Sequence, residues 1–220
     1  ALGNRGVLCC WKQRDMEGFM DLLYRTVLLF GPPGAGKGTW GKILGEIPGF
    51  LHFASGDMFR SLSLDSEIGK MALACISKGE LVPDEHALGL WRDQMRNLVT
   101  VGTFNPDRHL LVLDGVPRTL EQSEMVESDL DVRLILFLDC PDRDVLVQRL
   151  YGRALIEHRA DDAREDIILR RFKVYDEQTN ATLSHYPDDL IVRIDVSQSP
   201  HKILLDICQA IYDRFGVEVA

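Results

Sequence analysis

Apolar and polar positions along this chain fall into blocks. Runs that are apolar on both faces stand at Thr26 to Phe30, Leu51 to Ala54, Leu110 to Leu113, Leu134 to Leu138 and Leu190 to Ile194. A strand with one wet face alternates every second residue; these five do not, which predicts parallel strands buried between helices. Glycine-rich turns and polar helical stretches separate most of them, the rhythm of β-α units. Two stretches break that rhythm. From Ser55 to Thr100 only helical patterns occur, one ended by Lys78-Gly79 and the next opened by Pro83-Asp84-Glu85, which predicts a helical insert. Gly152 to Asp162 is short, charged and weakly apolar and reads as a mobile flap, after which Asp162 and Glu165 have the spacing of a capping box for a long helix. Pro and Gly sit at segment junctions and no fixed-period repeat occurs, so the segments read as one α/β domain. Residues 1–24 carry apolar Phe19, Met20, Leu22 and Leu23 among charges and read either as an extension or as a helix packed on that domain.

Composition narrows the class. A chain of 220 residues can bury a sizeable core, and 25 Lys and Arg against 34 Asp and Glu leave a formal charge of −9. Such a balance disfavours long nucleic acids and anionic membrane surfaces as partners, so any anion site is local. Cys9, Cys10, Cys75, Cys140 and Cys208 are scattered without a C-x-x-C spacing, against a disulfide framework or a zinc site. The six histidines, His52, His86, His109, His158, His185 and His201, show no ligand spacing either, and packing or surface roles are expected of them. The apolar runs fall well short of the roughly 18 residues that cross a bilayer. Residues 1–24 lack a signal-peptide core, and the chain is expected to be cytoplasmic.

The strongest chemical signal is Gly31-Pro-Pro-Gly34-Ala35-Gly36-Lys37-Gly38-Thr39, which leaves a predicted strand and enters a predicted helix. Glycines let successive backbone N–H groups converge on a phosphate, the helix start adds partial positive charge, and a lysine at this place bridges the outer phosphates. The hydroxyl is displaced by one position: Gly38 follows Lys37 and Thr39 comes after it, where generic nucleoside triphosphatases put Ser or Thr directly after Lys.

With that shifted hydroxyl the chain resembles the nucleoside monophosphate kinases, adenylate kinases of the short-lid form in particular. Further matches follow in order: Ser55-Gly56-Asp57 with Arg60; Gly79-x-Leu81-Val82-Pro83-Asp84-Glu85; Asp114-Gly115-Val116-Pro117-Arg118-Thr119 with Gln122; Arg149 and Arg153; Arg159-x-Asp161-Asp162; and Arg171 before Tyr175. The resemblance implies a three-layer P-loop fold spanning 25–220, with a five-stranded parallel sheet flanked by helices, a monophosphate-binding insert at about 55–85 and a short lid at about 152–163. It implies transfer of the γ-phosphoryl group of Mg-ATP to AMP, giving two ADP. Gly34, Ala35, Gly36, Lys37, Gly38, Thr39, Arg149, Arg153 and Ser199 are implied to bind ATP. Ser55, Gly56, Arg60, Val82, Gly115, Arg118, Gln122, Arg159 and Arg171 are implied to bind AMP. Lys37, Arg118, Arg153, Arg159 and Arg171 are implied to act on the transferring group, and Asp57 and Asp114 to hold Mg2+ through water with no direct ligand. Gln198-Ser199-Pro200 is implied to lie beside the donor adenine.

Charge supports this independently. Two nucleotides meeting end to end crowd many negative charges together, and guanidinium forks suit phosphates better than scattered lysines. Lys37, Arg60, Arg118, Arg149, Arg153, Arg159 and Arg171 supply the compensation in an otherwise acidic chain. Arg149 and Arg153, one helical turn apart, project from one face and are expected to reach one phosphate chain. Two assignments stay open: Asp114 and Ser55 can each also be read as helix N-caps. Trp40 replaces the usual Gln, Val116 replaces the usual Phe, and one extra residue before Tyr175 leaves either Arg170 or Arg171 for the family position. The rival readings are a UMP or CMP kinase and a catalytically silent nucleotide-sensing module. A monomer is expected.

Overall fold

The computed structural model describes residues 23–157 and 159–216. The expectations for residues 1–22, for Cys9 and Cys10 among them, and for His158 lie outside these. Strand β1 (Tyr24–Phe30) begins two residues before the predicted run, because the Tyr24 ring packs edge-on against Trp91 and Phe104, with centroids 6.3 and 5.5 Å away. The chain then passes through α1 (Lys37–Gly45), β2 (Phe50–Ala54), α2 (Ser55–Arg60), α3 (Glu67–Lys78) and α4 (Asp84–Thr100). It continues through β3 (Leu110–Asp114), α5 (Leu120–Val126), β4 (Leu130–Asp139), α6 (Arg143–Glu157), α7 (Glu165–Leu183), β5 (Ile191–Asp195) and α8 (Pro200–Phe215). All strand pairings are parallel and the order is β2-β3-β1-β4-β5, so β1 lies centrally with Leu28 opposite Leu113 on one side and Ile135 on the other.

Because successive strand residues face opposite ways, the sheet has two cores and the domain three layers. Val27 and Leu29 pack with Trp40 and Leu44 of α1, Leu146 and Leu150 of α6, and Ile203 and Ile207 of α8. Leu28 and Phe30 face Leu88, Trp91 and Met95 of α4 and Val126 of α5. The helical insert is thus α2, α3 and α4, with α4 returning to cover the sheet. On β2, the His52 ring fills the space left by two glycines of α1: a Cβ on Gly41 would lie 2.2 Å from its Nε2. That nitrogen is buried with no hydrogen-bond partner among the described residues, and burial lowers the pKa of the ring, as suits a neutral packing histidine.

Three local expectations change. Leu190 falls in a 3-10 turn (Asp188–Leu190) and β5 starts after it. Most of the expected flap is helical, since α6 runs on to Glu157, and the remainder includes a 3-10 turn, Ala160–Asp162. Asp162 does not cap α7: its carboxylate is fully buried and taken by two arginines, a stronger partner than a peptide N–H.

Candidate active site

β1 ends at the point where its two neighbours, β3 and β4, carry the chain to opposite sides of the sheet, the place where open α/β sheets leave a crevice. The loop after β1 fills it. Gly34 has φ +85°, and a Cβ there would lie 2.6 Å from the Leu146 carbonyl oxygen of α6, so only glycine lets the loop run this close. Gly36 precedes α1 in the left-handed conformation and no side chain caps the helix, which leaves its first N–H groups open to an anion. Lys37 folds back over the loop and donates to the carbonyls of Gly31 at 2.6 Å and Pro32 at 3.1 Å. Burial pulls its pKa down to about 8, opposed by Asp114 and reinforced by the positive charges of Arg118, Arg171 and Arg153. Trp40 is a core residue beneath the loop, its Nε1 3.2 Å from where a Gly36 Cβ would be. Thr39 is exposed.

Asp114 ends β3 with its Oδ2 3.7 Å from the position of a Cβ on Gly38, and no protein donor among the described residues bonds its carboxylate. It is no helix cap: Thr119 caps α5 by accepting from the Gln122 N–H at 3.0 Å. A carboxylate without a protein partner beside a phosphate loop and a free threonine hydroxyl suits a hydrated Mg2+, which keeps most of its waters and takes few protein ligands. Asp57 is committed elsewhere, to Arg60 at 2.6 Å and Arg159 at 3.4 Å. Burial raises its pKa, but the hydrogen bond and charge of Arg60, then the charge of Arg159, outweigh this and leave it lowered.

Beside the loop opens a cleft. Its walls bring together residues from six separate elements and turns: Lys37, Arg60, Val82, Arg118, Gln122 and Arg171. Gly56, Gly115 and Val116 also line it. Arg118 donates from Nε to the Gly115 carbonyl at 3.0 Å. The choice left between neighbouring arginines is decided by α7, which turns Arg171 into the cleft and sends Arg170 to Glu80 at 2.5 Å. Ser55 is neither a cap nor free for a base, because it is the first residue of α2, buried, and donates to the Gly115 carbonyl at 2.8 Å. Gln122 is 2 % exposed and its amide is held at both ends: Oε1 accepts from the Arg118 N–H at 2.7 Å and Nε2 donates to Asp84 Oδ1 at 2.7 Å.

Arg153, Arg159 and Arg171 lie against carboxylates. Arg153 donates to both oxygens of Asp162, at 2.6 and 2.9 Å, while Arg171 donates to Asp162 and, at 3.0 Å, to Asp161. Arg159 pairs with Glu157 at 2.7 Å besides Asp57. Arg149 and Arg153 are both on α6, but Arg149 donates to the Val196 carbonyl at 2.8 Å while Arg153 turns to Asp162. Arg149 thereby sits against the turn that leads to Gln198 and Ser199, the segment implied for the donor base; Ser199 itself precedes α8 and shares a 3.3 Å contact with His201 Nε2. Sequence reasoning missed the carboxylates as site components. The acidic residues inside the quoted motifs, Asp84, Asp161 and Asp162, were the available signal.

The family model described as Adenylate kinase matches residues 29–191. An adenylate kinase of Flavobacterium johnsoniae is 36% identical over 169 residues, covering 74% of this chain and 85% of the relative. An adenylate kinase of Synechococcus sp. is 34% identical over 192 residues, covering 84% and 97%. A uridylate kinase of Saccharomyces cerevisiae is 31% identical over 192 residues, covering 86% and 91%.

Proposed function

The chain belongs to the adenylate kinase family, and we propose that it transfers the γ-phosphoryl group of ATP to AMP, reversibly, giving two ADP. The observation that carries this reading is the crowding of Lys37, Arg60, Arg118 and Arg171 around one cleft, where burial lowers the lysine's pKa and the charges of Arg118 and Arg171 lower it further. Like charges gathered from distant parts of an acidic chain need anions between them. In the transfer, an oxygen of the AMP phosphate forms a bond to the γ-phosphorus as the bond to the β-phosphate oxygen breaks, and ADP leaves.

In this reading Lys37 and the N–H groups of Gly34, Ala35, Gly36, Gly38 and Thr39 hold the ATP phosphates, with Arg149 and Ser199 towards its base. Arg60 and Arg118 clamp the AMP phosphate, Gly56, Val82, Gly115 and Gln122 wall its nucleoside, and Ser55 holds that wall through the Gly115 carbonyl. Arg153, Arg159 and Arg171 exchange carboxylates for phosphates as the lid, residues 152–163, closes on the insert, residues 55–85. Asp114, and Asp57 once its arginines leave, would hold a hydrated Mg2+, which would supply neutralisation of phosphate charge. The protein then works by positioning and charge compensation, as phosphoryl transfer requires. In this reading ATP, AMP and ADP are its partners and a monomer in the cytoplasm is its working form. Among the described residues no helix is long and apolar enough to cross a membrane.

Phosphorus NMR of the protein with Mg-ATP and each nucleoside monophosphate in turn tests the reading. ADP formed with AMP supports it. Turnover confined to UMP or CMP makes it a pyrimidine kinase, and binding without turnover makes it a silent module. Arg118→Ala should lower kcat about 10²- to 10³-fold, the effect of losing one strong preorganised donor; activity within threefold of the parent contradicts the clamp.

A further inference from the structure

The insert formed by α2, α3 and α4 is held unevenly. Its two ends are tied to the sheet side, where Ser55 donates to the Gly115 carbonyl and Asp84 accepts from Thr119 and Gln122. The arm between them, residues 61–82, is not. One ion pair apart, the hydrogen bonds of that arm among the described residues run to itself or to its neighbours in the insert. Nor does it supply a buried residue to either sheet core: Ala72 and Val82 pack instead with Ala87 in a small cluster of their own. Few buried apolar partners and few bonds to the rest of the molecule mark an element of low local stability.

The exception is Arg170 of α7, which donates to Glu80 Oε1 at 2.5 Å across 90 positions of the chain. Glu80 follows Gly79, the left-handed residue that ends α3, and this turn lies against α7: a Cβ on Gly79 would stand 3.0 Å from both Arg171 Cγ and the Ile167 carbonyl oxygen. The Gly79 and Glu80 N–H groups donate to Ile76 and Cys75, which fixes the turn to α3 but does not join it to α7. Consecutive helical residues point about 100° apart, so Arg171 faces the cleft while Arg170 reaches round to the turn. Glu80, Leu81 and Val82 line the same cleft as Arg171. We infer that Arg170 is a positioning residue for the acceptor: by mooring Glu80 to α7 it keeps the wall from Glu80 to Val82 facing Arg171, and so raises the fraction of molecules ready to take the acceptor. Affinity falls in proportion as that fraction falls, while turnover at saturation is kept. The inference rests on the proposed acceptor role of the cleft and names what holds its loosest wall. Arg170 touches no substrate, and its effect passes through Glu80.

Steady-state rates of Arg170→Gln, Glu80→Gln and the double variant test it. The two side chains are 55% and 38% exposed, so the fold survives their loss. An exposed pair shifts an equilibrium a few-fold, and each single variant should raise the acceptor KM about threefold with kcat and the ATP KM unchanged. The double variant should go no further than either single one, because the same interaction is lost only once. Exchanging the charges, Glu80→Arg together with Arg170→Glu, should bring the acceptor KM back towards the parent's, which a general loosening of the fold would not do. High salt, which screens an exposed pair, should shrink the difference between parent and single variants. An acceptor KM unchanged in the single variants, effects that multiply in the double one, or equal rises in the ATP and acceptor KM overturn the mooring. The acceptor used is AMP, or UMP or CMP where the parent phosphorylates those instead, so a wrong acceptor shows in the parent and a wrong mooring in the variants. A parent that phosphorylates none of them overturns both.

Discussion

On one side of the cleft Lys37 rests on the carbonyls of Gly31 and Pro32, in a loop shaped by β1, α1 and the close approach of Gly34 to α6. On the other, Arg153 and Arg171 lie on Asp162, and Arg60 and Arg159 on Asp57. Both sides collect positive charge, by different means. The loop side needs little rearrangement to take a phosphate, because its donors are backbone N–H groups fixed by secondary structure. On the lid side carboxylates stand between four guanidinium groups and keep them from repelling one another, and in the proposed transfer phosphates take their place. The difference teaches how a chain of net charge −9 carries a cationic site: one half is preformed, and the other is balanced by its own acids and released by exchange.

The comparison breaks first at Lys37. Lys37→Met should lower kcat about 10³-fold, roughly 4 kcal/mol of transition-state stabilisation, with the melting temperature little changed, because the lysine is held only by carbonyls. A coupled ADP assay checks this, and a loss below tenfold would mean that the loop works without its cation.

Asp162→Asn probes the opposite half and should act mainly on stability. Its carboxylate is fully buried between Arg153 and Arg171, which are each about a quarter exposed, at 29% and 23%. Breaking a buried pair costs about 3 to 5 kcal/mol; with arginines open to solvent we expect about 2 kcal/mol, or roughly 4 to 8 °C in melting temperature. Saturation with ATP and AMP should recover part of the loss as phosphates replace the missing carboxylate. The sign of the pH dependence follows from the lowered Asp162 pKa, which burial raises but Arg153 and Arg171 bring down further. A depressed carboxyl stabilises the fold above its ordinary value near 4 and loses that contribution as pH falls through the folded value. The gap between parent and variant should therefore shrink below about pH 4; a gap that persists unchanged there removes the ion pairs as its cause.

The smallest effect sharpens the contrast. Phosphate binding should restore the Lys37 pKa from about 8 towards its ordinary value, so ATP binding near pH 8 takes up a fraction of a proton. Calorimetry in buffers of different ionisation enthalpy reads this uptake directly, and Lys37→Met should lack it. Equal uptake in both proteins would place the titration elsewhere.

Much of this site was legible along the chain. Apolar runs predicted five buried strands, and the turn after the first predicted the phosphate loop. The helical patterns between Ser55 and Thr100 predicted the insert, and the ordered short motifs pointed to the family. Boundaries moved where distant packing intervened, as at Tyr24, whose ring finds Trp91 and Phe104. Asp162 and Glu165 have cap spacing, yet two guanidinium groups from α6 and α7 outcompete a peptide N–H for the Asp162 carboxylate.

The chain by itself determined the parallel sheet, the loop that awaits phosphate and the stock of guanidinium groups, because glycine conformation, periodicity and residue type act within a few neighbours. Tertiary structure alone decided which acid each arginine meets, which of Arg170 and Arg171 enters the cleft, and how Gln122 is turned. Those pairings join residues as far apart as Asp57 and Arg159, 102 positions along the chain, and are set by the packing of whole helices against the sheet, which no local pattern encodes.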